Sequence, residues 1–111
     1  MSDTTYKTEE LIAGEIHTEQ INLKADTYYR GMPLKYTAAS DYYEYSATIS
    51  EISAIFAEEE SRVLASAGYG SGILGGEVYE GGIVDDSGDA LSITDDDIAA
   101  ASVRGFYIRR T

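Results

Sequence analysis

Residues 73–110, ILGGEVYEGGIVDDSGDALSITDDDIAAASVRGFYIRR, decide the fold class of this chain. The stretch reads as strand, turn, polar loop, short capped helix and closing strand. Its sharpest local signal is Thr94-Asp95-Asp96-Asp97. The Thr94 hydroxyl is placed to accept from the first helical amides, and Asp97 stands where the acid of a capping box belongs. Glu or Gln is usual there, so Asp97 is a shorter substitute. Three carboxylates in a first turn also suit the positive end of the helix dipole. Ile98, Ala99, Ala101 and Ser102 extend the helix, Arg104 favours its C-terminus, and Gly105 suits the left-handed position that ends it. Phe106, Tyr107 and Ile108 make a last strand. On the near side, Glu77 to Glu80 is a brief strand, Gly81-Gly82 a turn or bulge, Ile83-Val84 an apolar pair, and Asp85 to Asp89 a polar loop.

Working back from this stretch, Gly68 to Gly76 reads as a hinge-like, glycine-rich connection, and Arg62 to Ala67 as a strand. Glu58-Glu59-Glu60 reads as a solvated loop, because no apolar stripe at helical spacing continues from it. Ala54-Ile55-Phe56-Ala57 is a short apolar run of the kind found in buried strands. Tyr43, Tyr45 and Ala47 alternate with Glu44 and Ser46, after a turn at Ala38 to Asp41. Met32, Leu34 and Tyr36 alternate with Lys35 and Thr37, and Pro33 confines that run to a strand start or an edge. Ile21, Leu23 and Ala25 share one side of a half-buried strand. Residues 1–20 are weakly patterned, with Leu11, Ile12 and Ile16 the only large aliphatics, and read as an extended N-terminal arm.

Composition bounds the function. A chain of 111 residues is one domain. Its net charge of -12, from 20 acidic against 8 basic residues, excludes the basic footprint that a nucleic-acid backbone or an anionic membrane requires. There is no Cys, hence no disulfide framework and no thiolate zinc site. The acidic start MSDTTYKTEE lacks the apolar core of a signal peptide, and no apolar run approaches a membrane span, so a soluble protein made in the cytoplasm is expected. Ten Tyr with no Trp, and 11 Gly with one Pro, suggest a turn-rich β protein with amphipathic strand faces.

No catalytic constellation emerges. His17 is the single histidine and lies in the weakly patterned arm, so an acid–base triad is not expected. Gly70-Ser71-Gly72-Ile73-Leu74-Gly75 has the G-x-G-x-x-G spacing but is followed by a strand-like segment, so it reads as a flexible connection rather than a dinucleotide loop. Asp85, Ser87 and Asp89 have alternate spacing without the glycine and terminal acid of a calcium loop. The many carboxylates sit on polar faces, where nothing raises their pKa for acid catalysis. No enzyme, cofactor or metal is expected.

Five phrases carry a resemblance: TYYRGMPL (27–34), SAIFAEE (53–59), GGEVYEGGIV (75–84), ITDDDIAAA (93–101) and the closing strand after Gly105. In this layout residues 27–110 resemble the lambda-like bacteriophage head decoration proteins. The chain differs from the familiar pattern in its acidity, its many Tyr and its scarcity of Pro. The resemblance implies a mainly β, α+β fold: a small single-domain β-rich, barrel- or tulip-like unit with one or two short helices and an extended N-terminal arm. Residues 1–20 would be the capsid-binding arm and 21–111 the decoration domain. A homotrimer would sit at (quasi-)three-fold sites outside an expanded capsid, with the major capsid protein as partner, and would stabilise the head against packaged DNA. The protein would be found on the virion outer surface, with no direct contact to nucleic acid or membrane.

On this reading Tyr6, Leu11, Ile12 and Ile16 are the capsid-contact candidates, the aliphatics being the apolar anchors of a polar arm. Tyr28, Tyr29, Arg104, Tyr107, Arg109 and Arg110 are the trimer or partner-contact candidates. Two other classes remain: a small β-barrel ligand-binding module using tyrosines and the 68–76 stretch as a pocket rim, and another head or tail structural component.

Overall fold

The computed structural model describes residues 11–110. Its longest strands, β1 (Ile12–Leu23) and β7 (Gly68–Tyr79), pair antiparallel from Ile12 opposite Val78 to Leu23 opposite Gly68. Between them lie β2 (Thr27–Tyr28), β3 (Pro33–Thr37), β4 (Tyr42–Tyr45), β5 (Ala54–Phe56) and β6 (Arg62–Val63). Two 3-10 turns, Ile49–Glu51 and Glu80–Gly82, a helix α1 (Asp95–Val103) and β8 (Phe106–Arg109) complete the chain. The protein is mainly β with a single α-helix among the described residues.

The pairings close a ring. β1 meets β4 in parallel at Leu23 opposite Tyr43, β4 and β5 flank β3 antiparallel, β5 pairs with β7, and β7 returns to β1. Five strands therefore form a small barrel. β8 extends it, running parallel to β7 from Gly76 opposite Phe106 to Tyr79 opposite Arg109. β2 and β6 form a separate two-stranded sheet.

One apolar cluster joins Ile21, Leu23, Tyr28, Met32, Leu34, Ala54 and Phe56. The other joins Leu11, Ile52, Ile55, Ile73, Val78 and Ile83 with Ala101 of α1 and Phe106 of β8. Successive strand side chains point to opposite faces, so Ala54 and Phe56 serve one cluster and Ile55 the other. That double burial is why β5 is an unbroken apolar run.

The capping box forms as the sequence implies. Asp97 N donates to Thr94 Oγ1 at 3.1 Å and Thr94 N donates to Asp97 Oδ2 at 3.0 Å. The helix stops at Arg104, and Gly105 follows with φ of +90°. Pro33 is the first residue of β3, where its missing N–H is tolerated, although the strand is interior.

Three expectations are corrected. Gly68 to Gly76 is no hinge: it is most of β7, the strand on which the barrel closes. A Cβ on Gly70 would come 2.7 Å from Leu23 Cδ1, so any side chain there would force Leu23 to shift inside the barrel. The expected 62–67 strand is reduced to Arg62–Val63. Finally, residues 11–20 are not an arm, because Leu11 is only 1% exposed and β1 begins at Ile12. Residues 1–10, including Tyr6, lie outside the described residues.

Candidate functional site

The most distinctive surface feature is the outer edge of β1. One edge of this strand is paired to β7 at Ile12 and from Ile16 to Leu23, while the other meets β4 only at Leu23. From Ile12 to Gln20 that second edge has no strand beside it among the described residues. His17, Thr18, Glu19 and Gln20 are all exposed, so this part of the strand stands clear of the core on both faces. The His17 ring nitrogen lies 2.8 Å from Glu19 Oε2. Register shifts between Ile12 and Ile16, and between His17 and Thr18, bend the strand along this edge.

The capsid-contact candidates divide. Ile12 is exposed and Ile16 is half-buried against the core formed by Val78 and its neighbours. Leu11 is a core residue and has no surface to offer a partner. What separates Leu11 from Ile12 is the strand alternation, which places them on opposite faces.

The partner-contact candidates divide in the same way. Tyr28 is fully buried, stacks on Phe56 with ring centroids 5.5 Å apart, and donates its hydroxyl to the Lys24 carbonyl at 2.6 Å. It is a core residue, which corrects its assignment as a contact. Burial raises its phenol pKa, helped by the Asp26 and Glu44 charges. Tyr29 is half-buried and Tyr107 is 53% exposed on β8.

The three arginines are held by the chain itself. Arg109 lies 2.6 Å from Glu77, and Arg110 bridges Glu80 at 2.5 Å and Asp95 at 2.6 Å. Arg110 thereby ties the end of the chain to the first turn of α1. Arg104 donates through Nε to the Ile52 carbonyl and through Nη2 to Ser53 Oγ. Glu58 is a comparable internal brace that sequence reading missed. It accepts from Arg62 at 2.9 Å and from the Ser71 amide at 3.0 Å, fixing the loop after β5 against β7.

Grooves open on the surface formed by the described residues. One, about 700 Å³, is lined by Tyr29, Arg30, Glu59, Gly82, Val84 and Asp89. Arg30 donates to the Ala57 carbonyl. Another, about 470 Å³, is lined by Lys35, Tyr36, Ser50, Glu51, Ser53 and Arg104. The glycines of β7 form no pocket rim: Gly70 and Gly72 are buried. The Asp85 carboxylate is occupied as a turn acceptor, taking the amides of Ser87 at 2.8 Å and Asp89 at 3.0 Å. Among the described residues, no three His, Asp or Glu side chains gather to hold a metal ion. No described helix is long and apolar enough to cross a membrane.

Beside β4, Glu44 is held below its ordinary pKa, first by the Thr37 hydroxyl and then by Lys24. Tyr36 donates to Asp41 at 2.6 Å and lies against Tyr43, with ring centroids 5.1 Å apart. This tyrosine surface is built from alternating positions on β3 and β4. Compared with protein-family models and with curated proteins, the sequence matches none of them.

Proposed function

We propose that the protein is a structural virion component that decorates and cements the outer surface of an expanded phage capsid. It acts as trimers at (quasi-)three-fold sites, with the major capsid protein as partner, and has no catalytic role. The layout resemblance over residues 27–110 supports this reading. The structural observation that carries it is the open outer edge of β1 from Ile12 to Gln20. An open edge presents backbone N–H and C=O groups to an extended segment of a partner, which can add as a further strand. Many such modest contacts, repeated over a lattice, act with avidity. Net charge of -12 also keeps a coated particle dispersed.

Purified expanded shells lacking the protein provide the test. Saturable co-sedimentation of the protein with these shells is the expected result. Absence of coating on the cognate shell would remove this reading. The roughly 700 Å³ groove beside Tyr29 and Arg30 would then favour a small ligand-binding module, detectable as a ligand-dependent thermal shift.

A further inference from the structure

The groove that holds Lys35 and Arg104 differs in charge from the rest of this acidic surface. Elsewhere the cations are matched by carboxylates: Lys24 by Glu44, Arg62 by Glu58, Arg109 by Glu77, and Arg110 by Glu80 and Asp95. Arg30 donates to a carbonyl, but its groove also contains Glu59 and Asp89. Arg104 has no ion pair among the described residues and meets only the neutral Ile52 carbonyl and Ser53 hydroxyl. Lys35 makes a loose ion pair with Glu51 at 3.9 Å, beyond hydrogen-bond range, and stands opposite Glu44 across β3 and β4, whose carboxylate is held by Lys24 and Thr37, while Glu51 accepts from Ser46 at 3.2 Å. Two cations thus share one groove with a single, already engaged carboxylate.

Apolar surface flanks these charges on both sides. Tyr36, 43% exposed, lines the same groove. Val103, 86% exposed at the end of α1, lines an adjoining depression with Ile52, Phe106 and Arg104 itself. A free inorganic anion would make no use of Val103 and Tyr36, and Glu51 would repel a dianion.

We propose that this groove is a docking site for an acidic, apolar segment of a partner protein. A carboxylate of that segment sits between Lys35 and Arg104, and its neighbouring aliphatic side chains cover Val103 and Tyr36. Charge-assisted hydrogen bonds inside a partly apolar rim give such a contact both strength and direction. The site lies apart from the β1 edge, and its test requires no capsid.

The probe is an acetylated, amidated hexapeptide with one aspartate between leucines, titrated into the 15N-labelled protein and followed by NMR. Saturable amide shifts are expected over residues 35–37, 50–53 and 103–106. The same peptide with asparagine in place of aspartate should leave them unmoved. Lys35→Gln and Arg104→Gln should each weaken binding roughly tenfold, the loss of one hydrogen bond to a charged group. Arg104→Gln also forfeits bonds to Ile52 and Ser53, so Lys35→Gln, which among the described residues gives up one loose ion pair to Glu51, decides the matter if the first variant does not fold. Equal binding of the asparagine peptide, equal shifts from inorganic phosphate, or undiminished affinity in the folded variants would overturn the proposal.

Discussion

Gly72 and Ile21 share one slot in the barrel: a Cβ on Gly72 would stand 2.5 Å from Ile21 Cδ1. The close approach of β7 to the side chains of β1 therefore depends on the absence of a side chain. Gly72→Ala is expected to destabilise the fold by about 1–3 kcal/mol through overpacking. Gly76→Ala should cost more, since Gly76 has φ of +127° and its added Cβ would meet the Glu15 carbonyl, which is backbone and cannot swing aside. Gly105→Ala has open space around it and should cost only the left-handed strain, about 1 kcal/mol. Urea denaturation of the three variants checks the order Gly105, Gly72, Gly76; a Gly76 variant as stable as the Gly105 variant would contradict it.

Leu11 marks where the packed fold begins. Leu11→Ala should destabilise by about 2–5 kcal/mol, as for other buried leucines. Ile12→Ala, on the exposed face, should stay within about 1 kcal/mol. Chemical denaturation distinguishes the two, and a silent Leu11→Ala would return residues 11–20 to an arm.

Tyr28 gives the fold an alkaline limit. Its folded-state pKa lies above the ordinary value of 10.0, so the folded chain holds the phenolic proton more tightly than the unfolded chain. Its contribution is complete below about pH 10 and is lost as pH rises through that value towards the folded pKa. Tyr43 and Tyr45 shift the same way, each first by burial. Tyr28→Phe should lower stability at neutral pH by about 1 kcal/mol, because the Lys24 carbonyl loses its donor. It should also flatten the fall in stability on the alkaline side. Denaturation midpoints across that range provide the check; an unchanged slope would place the titration elsewhere.

Arg110 fastens β8 to α1 through exposed ion pairs. Arg110→Ala should lower the melting temperature modestly in dilute buffer. The difference from the parent protein should shrink in molar salt, where exposed charges are screened. A salt-independent loss would mean that packing, not charge, holds the end of the chain.

Much of the fold was legible where local chemistry is sufficient. Thr94, Asp97, Arg104 and Gly105 specified both ends of α1, and alternation gave β3, β4 and the inward side of Ile21 and Leu23. The reading failed where a distant partner decides. The glycines of β7 resemble a hinge until Leu23 and Ile21 are seen to fill the space their side chains would have taken. Leu11 and Tyr28 resemble contact residues until their burial is known, since neither an aliphatic nor a tyrosine declares which face it will occupy. The pairing of Lys35 with Arg104 in one groove joins positions 69 residues apart (104 − 35), and no local pattern signals it.

The unfolding temperature of expanded shells, measured by scanning calorimetry with and without saturating protein, tests the cementing role most directly. A protein that clamps neighbouring subunits binds the assembled shell in preference to its unfolded chains and must raise that temperature. The predicted result is an increase that saturates with coating. Shells that bind the protein yet unfold at an unchanged temperature would contradict the account.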